Sequence, residues 1–164
     1  MIKIIDGDLL TSGADIICHQ VNCQGKMNSG VAKQIREKWP EVYNAYINII
    51  EESKFSGLEL LGFCQFLYIK KQKIFIANLF GQNYYGYDNE QYTDMDALKN
   101  SLLMLRNHVY NLTKGKNISK SEIRIAMPWK IGCDRGGANW TDVYSMIHFI
   151  FEDYNVELWR LDKG

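Results

Sequence analysis

Met127-Pro128-Trp129-Lys130-Ile131-Gly132-Cys133-Asp134-Arg135-Gly136-Gly137-Ala138-Asn139-Trp140 runs from an apolar segment through a glycine-rich turn into a periodic one. It reads as a strand end, a loop and the first turn of a helix. Glycine has no Cβ, so backbone N–H groups in such a loop can approach an anion closely. The helix that follows brings the positive end of its dipole to the same place. Asn22-Cys23-Gln24-Gly25-Lys26-Met27-Asn28-Ser29-Gly30-Val31-Ala32 repeats the arrangement near the start of the chain, again between a strand and a helix. Two such loops suggest a ligand with more than one phosphate.

Working outward, strand and helix signals alternate. Ile2–Asp6 and Ala14–Val21 are β-rich runs, and Gly30–Trp39 has helical character up to Pro40, which disfavours helix at the residue before it. Helical spacing resumes from Glu41 with Val42, Tyr46, Ile49 and Ile50 on one face. Gly62–Ile69 and Ile74–Leu79 flank Lys70-Lys71-Gln72-Lys73, a charged hairpin turn. The clearest helix is Asp94–Leu112, where Met95, Leu98, Leu102, Leu105, Val109 and Leu112 recur at helical spacing, with Thr93 as the expected N-cap and Asp96 complementing the dipole. Thr113–Ser121 reads as a loop, Ile123–Met127 as a strand, Trp140–Asp153 as a helix burying Val143, Met146, Ile147, Ile150 and Phe151, and Val156–Leu161 as a last strand. The alternation implies an α/β layered domain whose hairpin makes the sheet mixed. Ligands of such sheets sit outside the carboxyl ends of the strands, where both glycine loops begin.

Composition bounds the function. The 164 residues fit one domain over 1–164, and 46% apolar content argues against long disorder. A net charge of zero argues against a protein that coats nucleic acid or an anionic membrane. There is no apolar run of about 20 residues to span a bilayer. The chain opens directly on a strand without the layout of a signal peptide, and Cys18, Cys23, Cys64 and Cys133 form no C-x-x-C pair. The expectation is a cytoplasmic protein with reduced thiols. Cys18, His19 and Cys23 contain zinc-ligand types, but Cys18 and His19 would point to opposite faces of a strand, and no metal or other cofactor is expected.

The chain resembles a macrodomain, the ADP-ribose-binding α/β/α module. Four segments carry the resemblance: Asp6-Gly7-Asp8-Leu9-Leu10; His19-Gln20-Val21-Asn22-Cys23-Gln24-Gly25 with Gly30-Val31-Ala32; Asn78-Leu79-Phe80-Gly81-Gln82; and Met127-Pro128 through Trp140. Within the superfamily the pairing of an Asn-Cys-x-Gly loop with an Ile-Gly-Cys loop is similar to the branch of terminal ADP-ribose glycohydrolases, DNA-thymidine ADP-ribosyl hydrolases and ADP-ribose-1″-phosphate phosphatases. The resemblance implies a three-layer α/β/α fold with a mixed central sheet. It implies ADP-ribose or a derivative as ligand, an ADP-ribosylated macromolecule as a candidate partner, and no membrane. Asp8 would accept from the adenine amino group, with the Leu9 N–H at the ring; a carboxylate suits an exocyclic amine because it only accepts. Asn22 would bond the distal ribose. Ser29, Gly30 and Val31 would serve one phosphate, and Gly132, Cys133, Arg135, Gly136 and Gly137 the other.

Plainer readings compete. Asp8 could be a turn former, Gly136-Gly137 a turn's backbone need, and Asn22 a strand-end cap. Trp129, Trp140 and Tyr144 suit core or rim positions.

Hydrolysis at C1″ needs a positioned water or nucleophile and a stabiliser of departing negative charge. The resemblance implies a nucleophilic lysine after the central strand in glycohydrolase members; here Leu79 or Phe80 stands there. Asp134 occupies the loop of the catalytic aspartate but sits earlier than that pattern has it, and an ion pair with Arg135 is its plain alternative. His19 resembles the histidine of phosphatase-type members and is the second catalytic candidate, against a satisfied, half-buried side chain. Asn28 and Gln82 could position water. A non-catalytic reader of ADP-ribose, and an unrelated nucleotide-binding α/β protein, are the competing functions.

Overall fold

The computed structural model describes residues 1–161; the last three residues of the expected 1–164 unit lie outside the described residues. The elements run β1 (Ile2–Asp6), β2 (Ile16–Gln20), α1 (Gly30–Lys38), α2 (Pro40–Ser56), β3 (Cys64–Ile69), β4 (Ile74–Leu79), α3 (Met95–Lys116), β5 (Arg124–Pro128), α4 (Trp140–Ile150) and β6 (Asn155–Arg160). The strands form one six-stranded sheet in the order β1-β6-β5-β2-β4-β3. Every neighbouring pair is parallel except the β3–β4 hairpin, so the sheet is mixed as expected.

Side chains alternate along the central strands, so both faces are covered. Ile16, Cys18, Ile125 and Met127 join Leu98, Leu102, Val143 and Ile147 in a core beneath α3 and α4. Ile17, Val21 and Ala126 join Ile35, Val42, Tyr46 and Ile50 in a second core beneath α1 and α2. The result is a three-layer α/β/α sandwich. Among the described residues no helix is long and apolar enough to cross a membrane.

Three sequence boundaries need correction. Asp94, not Thr93, caps α3, its Oδ1 accepting from Ala97 N at 3.0 Å. Thr93 instead donates from Oγ1 to Gly132 O at 2.7 Å, a tertiary bond invisible in local sequence. The same helix runs through the segment read as a loop, because Thr113 is buried on the core face and Lys114 and Lys116 suit the negative helix end. Asn117 then stops it in the left-handed region at φ 54°. Helix α4 ends at Ile150 rather than Asp153, since a turn closed by Tyr154 N donating to Phe151 O leads into β6.

What positions the site is a divergence of strands. β2 pairs with β5 only at Ile16↔Ile125 and Ile17↔Ala126. β2 stays paired with β4 up to Gln20↔Leu79, and β5 with β6 up to Pro128↔Trp159. The sheet therefore opens between Cys18–Gln20 and Met127–Pro128. From there the chain leaves β2 towards α1 on one face and β5 towards α4 on the other, a topological switch point.

Candidate functional site

Both glycine loops meet at this opening. A cleft of about 220 Å³ is lined by Asn28–Ala32 on one wall and by Trp129–Gly132 with Asp134–Gly136 on the other. It continues into a groove of about 300 Å³ holding Asp8, Leu9, Gln34 and Trp159. Val31, Pro128, Trp129 and Asp134 line both cavities, so they form one elongated depression. Three cations, Lys26, Lys130 and Arg135, and one carboxylate, Asp134, line the cleft.

The first wall is organised around Asn22. Its Oδ1 accepts from Gln24 N at 2.9 Å, Lys26 N at 3.4 Å and Tyr46 Oη at 2.8 Å, and its Nδ2 donates to Lys26 O at 2.9 Å. Tyr46 Oη lies 2.6 Å from Asn22 O and shares its one proton between the two acceptors, while Gly25 N donates to that hydroxyl. Asn22 lines the cleft, but most of its amide is committed to the loop, so of the ribose contact expected of it one N–H remains for a ligand. The loop then delivers Ser29 and Gly30 to the cleft. Ser29 makes no side-chain cap bond to α1. Gly30 sits at φ 59°, and a Cβ there would meet nothing within 4 Å. The first N–H groups of α1 thus lack a side-chain cap beside an open cleft, the arrangement that receives an anion.

The second wall differs from expectation in two ways. First, the start of α4 does not line the cleft, and one of its N–H groups is already taken, Asn139 Oδ1 accepting from Asp142 N at 3.2 Å. Second, Cys133 and Gly137 do not line the cleft, whereas Gly132, Asp134, Arg135 and Gly136 do. The Cys133 N–H is used by Lys130 O at 2.9 Å. Gly137 packs on a neighbouring loop, where a Cβ would lie 2.9 Å from Glu90 O. Asp134 is exposed and forms no salt bridge among the described residues. Arg135, the partner in its plain alternative reading, instead stacks over Tyr87, 4.3 Å from the ring centroid.

At the far end, Asp8 uses Oδ1 to accept from Leu10 N at 3.0 Å, capping a 3-10 turn. Among the described residues its second oxygen accepts no hydrogen bond, so the turn-forming and ligand-binding readings are compatible.

His19 lines the cleft floor but is only 1% exposed. Its Nε2 lies 2.5 Å from Asn78 Oδ1; Asn78 donates to Gln65 Oε1, and Gln65 to Ala45 O. Because Asn78 presents its oxygen, Nε2 must carry the proton. Burial pushes the imidazole down from 6.5 to about 4, with the Asn78 bond opposing. Such a ring is neutral at pH 7 and its Nε2 is committed to Asn78, which corrects the expectation of a histidine acid–base.

The same shift has a stability consequence. The folded pKa lies below the unfolded one, so this contribution is intact above about pH 6.5 and is lost as pH falls towards 4. Urea unfolding at pH 5 and pH 7.5 should differ by about 2 kcal/mol more in the wild type than in His19→Gln. Equal pH dependence in the two proteins would refute the buried neutral state.

Sequence reading missed Gln20, whose Nε2 donates to Gln82 Oε1 at 2.7 Å and Thr93 Oγ1 at 2.8 Å. It also missed Lys26, Tyr85 and Tyr87 on the cleft wall and Gln34 in the groove. The Tyr-Tyr-Gly-Tyr run at 84–87 was the available signal, since Tyr84 and Tyr87 are more than 60% exposed. The candidate lysine position is closed: Leu79 and Phe80 are both fully buried.

No protein-family model matches the chain. Over 57 residues it is 42% identical to an ADP-ribose 1″-phosphate phosphatase of Aspergillus oryzae, covering 34% of this chain and 28% of that protein. Over 46 residues it is 39% identical to a DNA ADP-ribosyl glycohydrolase of Mycobacterium bovis, covering 28% of this chain and 13% of that protein. The matches thus span less than a third of either relative. Among solved structures, the macrodomain of Thermus aquaticus DarG superposes with a TM-score of 0.75 at 23% identity, covering 99% of this chain and 98% of that one. Thermosipho africanus DarTG in complex with ADP-ribose gives a TM-score of 0.75 at 18% identity, covering 99% of this chain and 42% of that one.

Proposed function

We propose that this chain, which has the macrodomain fold, binds ADP-ribose and hydrolyses an ADP-ribose derivative at C1″ of the terminal ribose. The observation that carries the reading is the single depression joining the Asp8 groove to a cleft walled by the start of α1 and the 129–136 loop. That sequence of environments suits an adenine, then a diphosphate, then a terminal ribose. Asp8 and Leu9 receive the base. The N–H groups at Gly30 and Val31, with Gly132, Arg135 and Gly136 opposite, receive the diphosphate.

Asp134 is the catalytic group of this proposal. Its carboxylate takes a proton from water as the water oxygen attacks C1″, and the bond to the leaving oxygen breaks with its electron pair. Lys26 and the positive end of α1 stabilise the departing anion. The position that the resemblance gives to a nucleophilic lysine holds the buried Leu79 and Phe80, which favours direct attack by water. The named relatives act on a 1″-phosphate and on DNA, and each is a candidate source of the leaving group here. In this reading residues 1–164 act as one unit. A cytoplasmic location suits its free cysteines, which would stay reduced there.

Phosphorus NMR with ADP-ribose-1″-phosphate tests both halves. Shifted diphosphate signals are the expected sign of binding, and a growing inorganic phosphate signal the expected sign of turnover. Binding without release of phosphate would leave a reader, or a hydrolase of ADP-ribosylated macromolecules. Absence of any shift would overturn the ligand.

A further inference from the structure

Asn28 is a side chain that neither the helix start nor the loop around Asn22 requires. It stands exposed on the wall of the main cleft and takes no part in the Asp8 groove. Its Oδ1 accepts from Arg36 Nη1 at 3.2 Å. A guanidinium only donates, so the amide has one orientation: oxygen towards Arg36, NH2 away from it. Arg36 is itself held, its guanidinium carbon 3.8 Å from the centroid of the Tyr43 ring. Among the described residues the Asn28 NH2 meets no acceptor.

We infer that Asn28 is a specificity-determining contact for the terminal half of the ligand, and that Arg36 is the positioning residue that keeps its NH2 outward. The inference rests on the ADP-ribose reading. With the base at Asp8, the rest of the ligand lies in the cleft that Asn28 lines, and since the diphosphate is met there by the N–H groups at Gly30 and Val31 with Gly132, Arg135 and Gly136 opposite, Asn28 is left for the terminal ribose and whatever C1″ carries. The amide end it offers only donates, so it selects an acceptor oxygen: a ring or hydroxyl oxygen, or more strongly the anionic oxygens of a 1″ substituent. The cation behind the amide polarises it, and the start of α1 lies beside it, so an anionic oxygen there gains from both. Arg36 need not touch the ligand.

Calorimetric titration with ADP, ADP-ribose and ADP-ribose-1″-phosphate tests this in wild type, Asn28→Ala, Asn28→Asp, Arg36→Met and the double variant Asn28→Ala/Arg36→Met. Methionine keeps the apolar stem that packs on Tyr43. Asn28→Ala should weaken ADP-ribose-1″-phosphate about tenfold and leave ADP nearly unchanged, since ADP ends at the diphosphate. Asn28→Asp should weaken it further, because the second carboxylate oxygen faces the anion. Arg36→Met should give a smaller loss, and the double variant should match Asn28→Ala alone, because Arg36 acts through Asn28. Additive losses, or an equal loss for ADP, would make the effect structural and overturn the assignment. Wild-type binding with no loss in Asn28→Ala or Asn28→Asp would overturn it while leaving the ADP-ribose reading standing. If the wild type binds none of the three ligands, both fall.

Discussion

Asp134→Ala should lower turnover of ADP-ribose-1″-phosphate by about 10²–10⁴-fold, the span expected for loss of a general base. Geometry singles this residue out. Asp134 lines both cavities, and its neighbour Arg135 is turned to the Tyr87 ring rather than to the carboxylate. No salt bridge neutralises it among the described residues. The sign of the accompanying affinity change separates chemistry from folding. A carboxylate beside a diphosphate repels it, so ADP-ribose affinity should hold or rise slightly in Asp134→Ala and Asp134→Asn. A loss of affinity together with turnover would indicate a damaged loop. Unchanged turnover in both variants would remove Asp134 from the reaction and return the protein to a reader.

The second large effect should come from Gly136→Ala. A Cβ there would lie 2.5 Å from Gly132 O and 3.1 Å from Gln20 Nε2, and would collide with Thr93 Oγ1. One of those contacts is backbone, so the loop itself must move. Gly136 O also accepts from Tyr92 N at 2.7 Å and Thr93 N at 2.9 Å, so the movement would spread to the tyrosine-bearing loop. Overpacking of this kind costs about 1–3 kcal/mol of stability. Because the displaced backbone forms the phosphate wall, ADP-ribose affinity should fall by about a hundredfold or more, equivalent to roughly 2.7 kcal/mol. Gly115→Ala is the control: it lies within α3 with nothing within 4 Å of the new Cβ, and should stabilise by about 0.5–1 kcal/mol. Thermal melts and titrations of the two variants would separate these outcomes. Wild-type affinity in Gly136→Ala would show that the 129–136 loop is not the phosphate wall.

The elements that were legible in the sequence are those whose signal is local. Leu98, Leu102, Leu105 and Val109 repeat at helical spacing because one stripe must face the sheet, and all four are fully buried. Pro40 separates α1 from α2 because its ring restrains the residue before it. The Lys70–Lys73 turn joins two β-rich runs that do pair antiparallel. Boundaries failed where a distant contact outweighed local preference, as when Thr93 bonded Gly132 across the fold instead of capping its own helix.

The site divides in the same way. Positive-φ positions such as Gly30 and Gly132 mark themselves in sequence, since few residues other than glycine tolerate that backbone. Whether a polar side chain serves the ligand or the protein does not mark itself. Asn22 is bound into its loop by Tyr46, His19 lies buried against Asn78, and Asn28 is left outward by Arg36. In each case the deciding partner is remote in sequence or set by packing between elements. Propensity, spacing and glycine's missing Cβ act within a few residues, so they marked the alternation of strands and helices, the hairpin and the two loops at strand ends, while the strand order β1-β6-β5-β2-β4-β3 was set by long-range pairing. Which loop atoms face the cleft was settled by folding, because hydrogen-bond partners and burial are assigned by neighbours that the fold brings together.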